Sequence, residues 1–82
     1  MKPARDAQRL QAMVQARLIA HPAARQRFAG DPRSAPQAGA VIGHERDMLG
    51  RNWTILDIER GEGLARPFRA IVDALRLEFD LS

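Results

Sequence analysis

No disulfide can hold this chain together, because it contains no cysteine. At 82 residues it reads as one domain, residues 1–82. A chain this short buries only about 60–65% of its unfolded surface. No Cys/His cluster offers a structural zinc in compensation. The remaining sources of stability are close helix packing and oligomerisation.

The same poverty bears on chemistry. There is no Tyr, one Lys (Lys2), one Thr (Thr54), two Ser (Ser34, Ser82) and two His (His21, His44). Most nucleophiles, general bases and soft metal ligands come from these residue types. A chain so short of them is expected to bind or scaffold, not to catalyse.

Charge is unevenly spread. Residues 1–46 carry eight bases against three acids, and residues 47–82 carry five bases against seven acids. An anionic partner for the first half would explain this, as would packing of oppositely charged halves or copies. Arg makes up nearly all the bases and Ala is the commonest residue. A GC-rich coding sequence accounts for both, so Arg count alone is no argument for nucleic acid.

Near the N-terminus the longest apolar run is Leu18–Ile19–Ala20, far short of the roughly 20 residues a membrane span needs. Nor is there a signal-peptide core. The first 30 residues are Arg-rich but hold no Ser or Thr, unlike a transit peptide. A cytoplasmic location is expected, and no cofactor.

Helical patterning dominates the ends of the chain. Ala7, Leu10, Met13, Val14 and Leu18 form one stripe of a helix running from Pro3 or Ala4 to Ala20. Arg17 lies within that stripe, and Ile19 points the opposite way. His21–Pro22 ends it and starts a short helix, Pro22 to Ala29, anchored by Phe28. Gly30 caps that helix, and residues 30–36 form a loop. A last helix starts near Arg66–Pro67, with Leu64, Phe68, Ile71, Val72, Leu75 and Phe79 on one face.

The middle is less regular. Val41, Ile42, Met48, Leu49, Trp53, Ile55, Leu56 and Ile58 recur at helical spacing, but Gly39, Gly43 and Gly50 interrupt them. Residues 37–50 are therefore either helix or loop. Asn52–Leu56 has some strand character. A lone strand would have no partner, so helix is the expectation. The fold expected is all-α: a small antiparallel bundle of three main helices and one short helix.

Several residues invite a functional reading. His44-Glu45-Arg46-Asp47-Met48 begins like a zinc-protease helix, but Met48 stands where the second His belongs. Asp57, Glu59 and Glu62 form an acidic patch better read as a solvated face. Gly39 and Gly43 have the spacing that lets two helices touch. Trp53 reads first as a core aromatic, with an interface anchor as the alternative. Arg5, Arg9, Arg25 and Arg27 are candidate contacts to phosphate or another anion, although the short helix after Pro22 makes a poor DNA reader.

These features converge on a non-catalytic protein–protein interaction module, a regulatory, adaptor or accessory subunit in a homodimer or hetero-complex. Surplus apolar helix faces would carry it, with Trp53, Leu56, Met48, Gly39 and Gly43 as the candidate interface. The alternatives are a small basic nucleic-acid-binding protein and an accessory subunit of an enzyme complex.

Overall fold

A computed structural model describes residues 2–29 and 31–82; the side chains of Arg27 and Pro32 lie outside the description, as does the expected cap at Gly30. The first helix, α1, spans Ala7–Ala20, three residues later than the pattern predicts. Asp6 sets the start: its side chain accepts a hydrogen bond from the Arg9 N–H at 2.8 Å, a standard N-cap. Ala4–Arg5, upstream of it, is the strand β1. Leu10, Val14 and Leu18, spaced four apart, are the buried face. His21 ends α1 and caps α2 (Pro22–Phe28), its Nδ1 accepting from the Ala23 N–H at 3.2 Å. The last helix, α3, runs Ala65–Glu78 and buries Phe68, Val72 and Leu75.

Between them the all-α expectation fails. No helix forms over residues 35–64, and the fold is a mixture of helices and short strands. The strands are β2 (Gln37–Ala38), β3 (Ile42–Gly43), β4 (Trp53–Thr54) and β5 (Ile58–Glu59), with β6 (Asp80–Leu81) after α3. β2 pairs antiparallel with β5, and β3 with β4. The partner that a lone strand seemed to lack is the preceding half of the same segment.

Both pairings belong to one hairpin. Gln37 opposes Glu59 and Ala38 opposes Ile58; Ile42 opposes Thr54 and Gly43 opposes Trp53. The Gly39 N–H donates to Asp57 O at 2.8 Å, and the His44 N–H to Asn52 O at 2.9 Å. All these pairs keep a single register. The donors change from odd to even residues along one strand, so the ribbon turns over near Ala40–Val41 and Ile55–Leu56. That reversal aims Ala38 inward at one end and Trp53 and Ile55 inward at the other, all three buried.

Glycine and β-branched residues explain why strand wins. A Cβ on Gly39 would lie 2.9 Å from Asp57 Cβ, and one on Gly43 3.0 Å from Leu81 Cδ2. Their close approach is to strands within the chain, not between two helices. Val41, Ile42, Thr54, Ile55 and Ile58 suit a pleated, half-buried ribbon.

One core joins the parts. Leu10, Val14 and Leu18 of α1 meet Phe68, Val72 and Leu75 of α3 and Trp53 and Ile55 of the hairpin. β1 lies parallel to β6, so the two chain ends sit together. α1 also holds the outer edge of β2. Gln15 Oε1 accepts from the Ala38 N–H at 2.8 Å, and Gln11 Nε2 donates to Ala38 O at 3.0 Å. The two glutamines stand where another strand would.

Candidate functional site

The tip of the hairpin is its best-braced part. Asp47 and Gly50 stand at the first and last positions of a turn, with the Gly50 N–H donating to Asp47 O at 3.0 Å. Gly50 takes a φ of +79°, which glycine adopts without strain. The Asp47 carboxylate accepts from the N–H groups of Leu49 and Arg51 at 3.0 and 2.9 Å, and from Arg51 Nε at 2.7 Å. These bonds, led by the Arg51 N–H, hold the Asp47 carboxyl at a pKa of about 2.

Outside the turn, the Gly50 carbonyl accepts from both Lys2 Nζ (2.7 Å) and Arg46 Nη1 (2.6 Å). Lys2 and Arg46 also pair with Asp80 at 3.2 and 3.0 Å. The Asp80 carboxyl is held below its ordinary value, first by the Arg46 hydrogen bond. The tip is thus fastened to both chain termini.

What this bracing presents is apolar. Met48 is fully exposed at the apex and Leu49 is 64% exposed. On the ribbon, Trp53 and Ile55 point inward and Thr54 between them points out, with Ile42 opposite Thr54. Leu56 is 63% and Ile42 43% exposed. Four of the six large apolar residues exposed among the described residues therefore lie on the hairpin; Ile19 and Leu77 are the others. The solvent face of a two-stranded ribbon ordinarily carries polar side chains; here large apolar Ile42 and Leu56 stand in water as well, while His44, Glu45 and Arg46 nearer the tip are also exposed.

Compared with protein families, curated proteins and solved structures, this chain matches none. Its site must be read from its own geometry.

The structure divides the residues singled out from sequence. Met48 and Leu56 are exposed on the hairpin. Trp53 is fully buried, and its indole N–H donates to Phe79 O at 2.9 Å; in the single chain it is a core residue. Gly39 and Gly43 shape the ribbon. Arg5 is engaged, its guanidinium 5.3 Å from the centre of the Phe79 ring and donating to Ala4 O. Arg9 and Arg25 are exposed, and the Arg27 side chain falls outside the described residues.

His44 belongs to a structural network. Its Nε2 lies 3.2 Å from Arg76 Nη2 and its Nδ1 2.6 Å from Glu45 O. A guanidinium only donates, so these contacts select the tautomer with the proton on Nδ1. Arg76 also donates to Trp53 O at 2.6 Å and pairs with Asp73. Among the described residues no three His, Asp or Glu side chains gather as metal ligands. Asp57 and Glu59 line an open groove with Gln11, Gln37 and Gly39. No helix is long and apolar enough to cross a membrane.

Sequence reasoning missed the bracing set of Lys2, Arg46, Asp47, Gly50 and Arg51. A signal for it was present. Asp at the first and Gly at the fourth position is the signature of a type I turn, and Asp47-Met48-Leu49-Gly50 carries it.

Proposed function

We propose that this chain is a non-catalytic protein–protein interaction module whose contact surface is the hairpin, led by Met48 and Leu49. The observation behind this is the pairing of opposites at the tip. Two large apolar side chains stand in water on a turn held by at least six hydrogen bonds. A braced backbone loses little conformational entropy when a partner covers it, so more of the contact energy appears as affinity. Methionine adds an adaptable, polarizable contact. Most of the exposed large apolar residues sit on the hairpin, with Ile19 and Leu77 on helices.

In this reading the protein acts in the cytoplasm, where a thiol-free chain gives up no stabilising disulfide. The enzyme-subunit alternative gains no support from His44, whose two ring nitrogens are both engaged. The nucleic-acid alternative is weakened by the capture of Arg5 over Phe79.

The test compares the parent chain with the double variant Met48→Asp, Leu49→Asp. Affinity capture and solution mass should show the parent in a stoichiometric complex, with itself or another protein, and the variant alone. Unchanged Trp53 fluorescence would show that the variant folds. A parent that is strictly monomeric and captures no stoichiometric protein would refute the proposal.

A further inference from the structure

We infer that β1 and β6 form a latched strap, a unit that opens away from the body of the fold while the core stays closed, with the Lys2 ammonium as its latch. The inference rests on the fold and is independent of the interaction reading above.

The two strands cannot hold each other. They pair in parallel over two residues each, with the Asp80 N–H donating to Pro3 O at 3.0 Å and the Ser82 N–H to Arg5 O at 2.9 Å. Parallel pairing is the weaker kind per residue, and an isolated two-stranded pair is marginal in water. Ala4 and Asp80 are also far apart in sequence, which adds a loop-closure cost. Arg5, 5.3 Å from the centre of the Phe79 ring, ties β1 to the residue before β6 and not to the hairpin.

Side chains fasten the pair to the body. On the β6 side, Asn52 bonds the Leu81 backbone, Trp53 bonds Phe79 O and Arg46 bonds Asp80. On the β1 side, among the described residues, Lys2 does this alone. An ammonium has three protons, and Lys2 has three acceptors from three places. They are Gly50 O of the hairpin tip at 2.7 Å, Arg76 O in the last turn of α3 at 3.2 Å, and Asp80 Oδ1 at 3.2 Å. The Arg76 carbonyl is one of the last four of its helix, which lack an intrahelical donor and favour a cation. Lys2 Nζ and Arg46 Nη1 meet the same two acceptors, Gly50 O and Asp80 Oδ1. Asp80 thus lies between two cations that face each other once its charge is removed.

Beneath the strap lie Gly43 and Trp53. A Cβ on Gly43 would sit 3.0 Å from Leu81 Cδ2, and half-buried Phe79 and Leu81 pack on the core. Opening therefore bares two apolar side chains and the Trp53 indole N–H. It also frees the Gly50 carbonyl, so strap and tip loosen together.

Amide hydrogen exchange of the whole chain tests this on three sets of N–H groups. The strap set is Asp80, Leu81 and Ser82; the tip set is Gly50 and Arg51; the core set is Val14 and Val72, buried in α1 and α3. Lys2→Met should speed the strap and tip sets together by at least about tenfold, the loss of a charged hydrogen bond. The core set should keep its rate, which also reports that the variant folds. Asp80→Asn should speed the same two sets. Combined with Lys2→Met it should speed them by less than the product of the two single effects, because one opening serves both. Unchanged strap exchange in Lys2→Met, a core set that speeds by the same factor, or a strap that loosens while the tip does not would each overturn the inference. Independent, fully multiplying effects of the two substitutions would overturn it as well.

Discussion

Asn52 meets Leu81 as one strand meets another. Its side-chain Oδ1 accepts from the Leu81 N–H at 2.9 Å, and its Nδ2 donates to the Leu81 carbonyl at 3.1 Å. The amide thereby replaces a backbone peptide unit and joins the hairpin to β6. Asn52→Leu removes both bonds and leaves two half-buried backbone groups to find water. It should cost about 1–3 kcal/mol, read as a lower urea midpoint with faster exchange of the Leu81 amide proton. Unchanged exchange at Leu81 would show that the amide does not hold the strand.

Trp53 seals the core beneath the ribbon, and it is the only Trp. Its emission should be blue-shifted in the folded protein and move to the red on unfolding. Trp53→Ala should cost about 3–5 kcal/mol, enough to threaten the fold of so small a domain. Trp53→Phe keeps an aromatic ring but leaves Phe79 O without its donor, and should cost less. Melting curves rank the two, and equal losses would mean that the hydrogen bond matters as much as the packing.

The glycines separate contact from conformation. Gly39→Ala drives a Cβ against Asp57 Cβ and the Asp57 carbonyl, at 2.9 and 3.0 Å. The opposite strand must shift, at about 1–3 kcal/mol. Gly63→Ala meets nothing within 4 Å but must adopt a φ of +78°, a backbone cost of about 1 kcal/mol. Gly39→Ala should therefore lower the denaturation midpoint further than Gly63→Ala. The reverse order would argue against strands pairing at this point.

Acid should loosen the hairpin tip. The unfolded chain protonates its aspartates near the ordinary value of about 3.9, while folded Asp47 waits until about 2 and Asp80 is also held low. Between these values the unfolded state binds more protons, so stability rises with pH. The contribution is complete above about pH 5 and lost as pH falls through the folded values. Asp47→Asn should make the acid limb of the stability curve shallower. An identical limb would mean that Asp47 adds nothing to the folded state.

The helical ends of the chain were legible because their apolar spacing decides one face without reference to distant residues. Leu10, Val14 and Leu18, and Phe68, Val72 and Leu75, were placed inward by period alone. The middle was not legible in that way. Apolar residues on both faces of a ribbon that turns over midway imitate a helix with two apolar faces. The deciding feature was Asp47-Met48-Leu49-Gly50, which folds the segment back so that Gly39 reaches Asp57 and Gly43 reaches Trp53. Met48 and Leu56, read from sequence as candidate partner surface, are exposed; Trp53, read first as a core aromatic, is buried, and its tie to Phe79 O, 26 residues away, is one that periodicity cannot supply.

Peroxide oxidation of Met48, followed by mass spectrometry with half-buried Met13 as internal reference, tests the central claim most directly. In dilute protein Met48 should oxidise much faster than Met13. When the protein is concentrated, or held in the complex that capture yields, Met48 should become protected while Met13 keeps its rate. Equally rapid oxidation of Met48 in the dilute and the assembled protein would contradict the claim that the hairpin tip is where a partner binds.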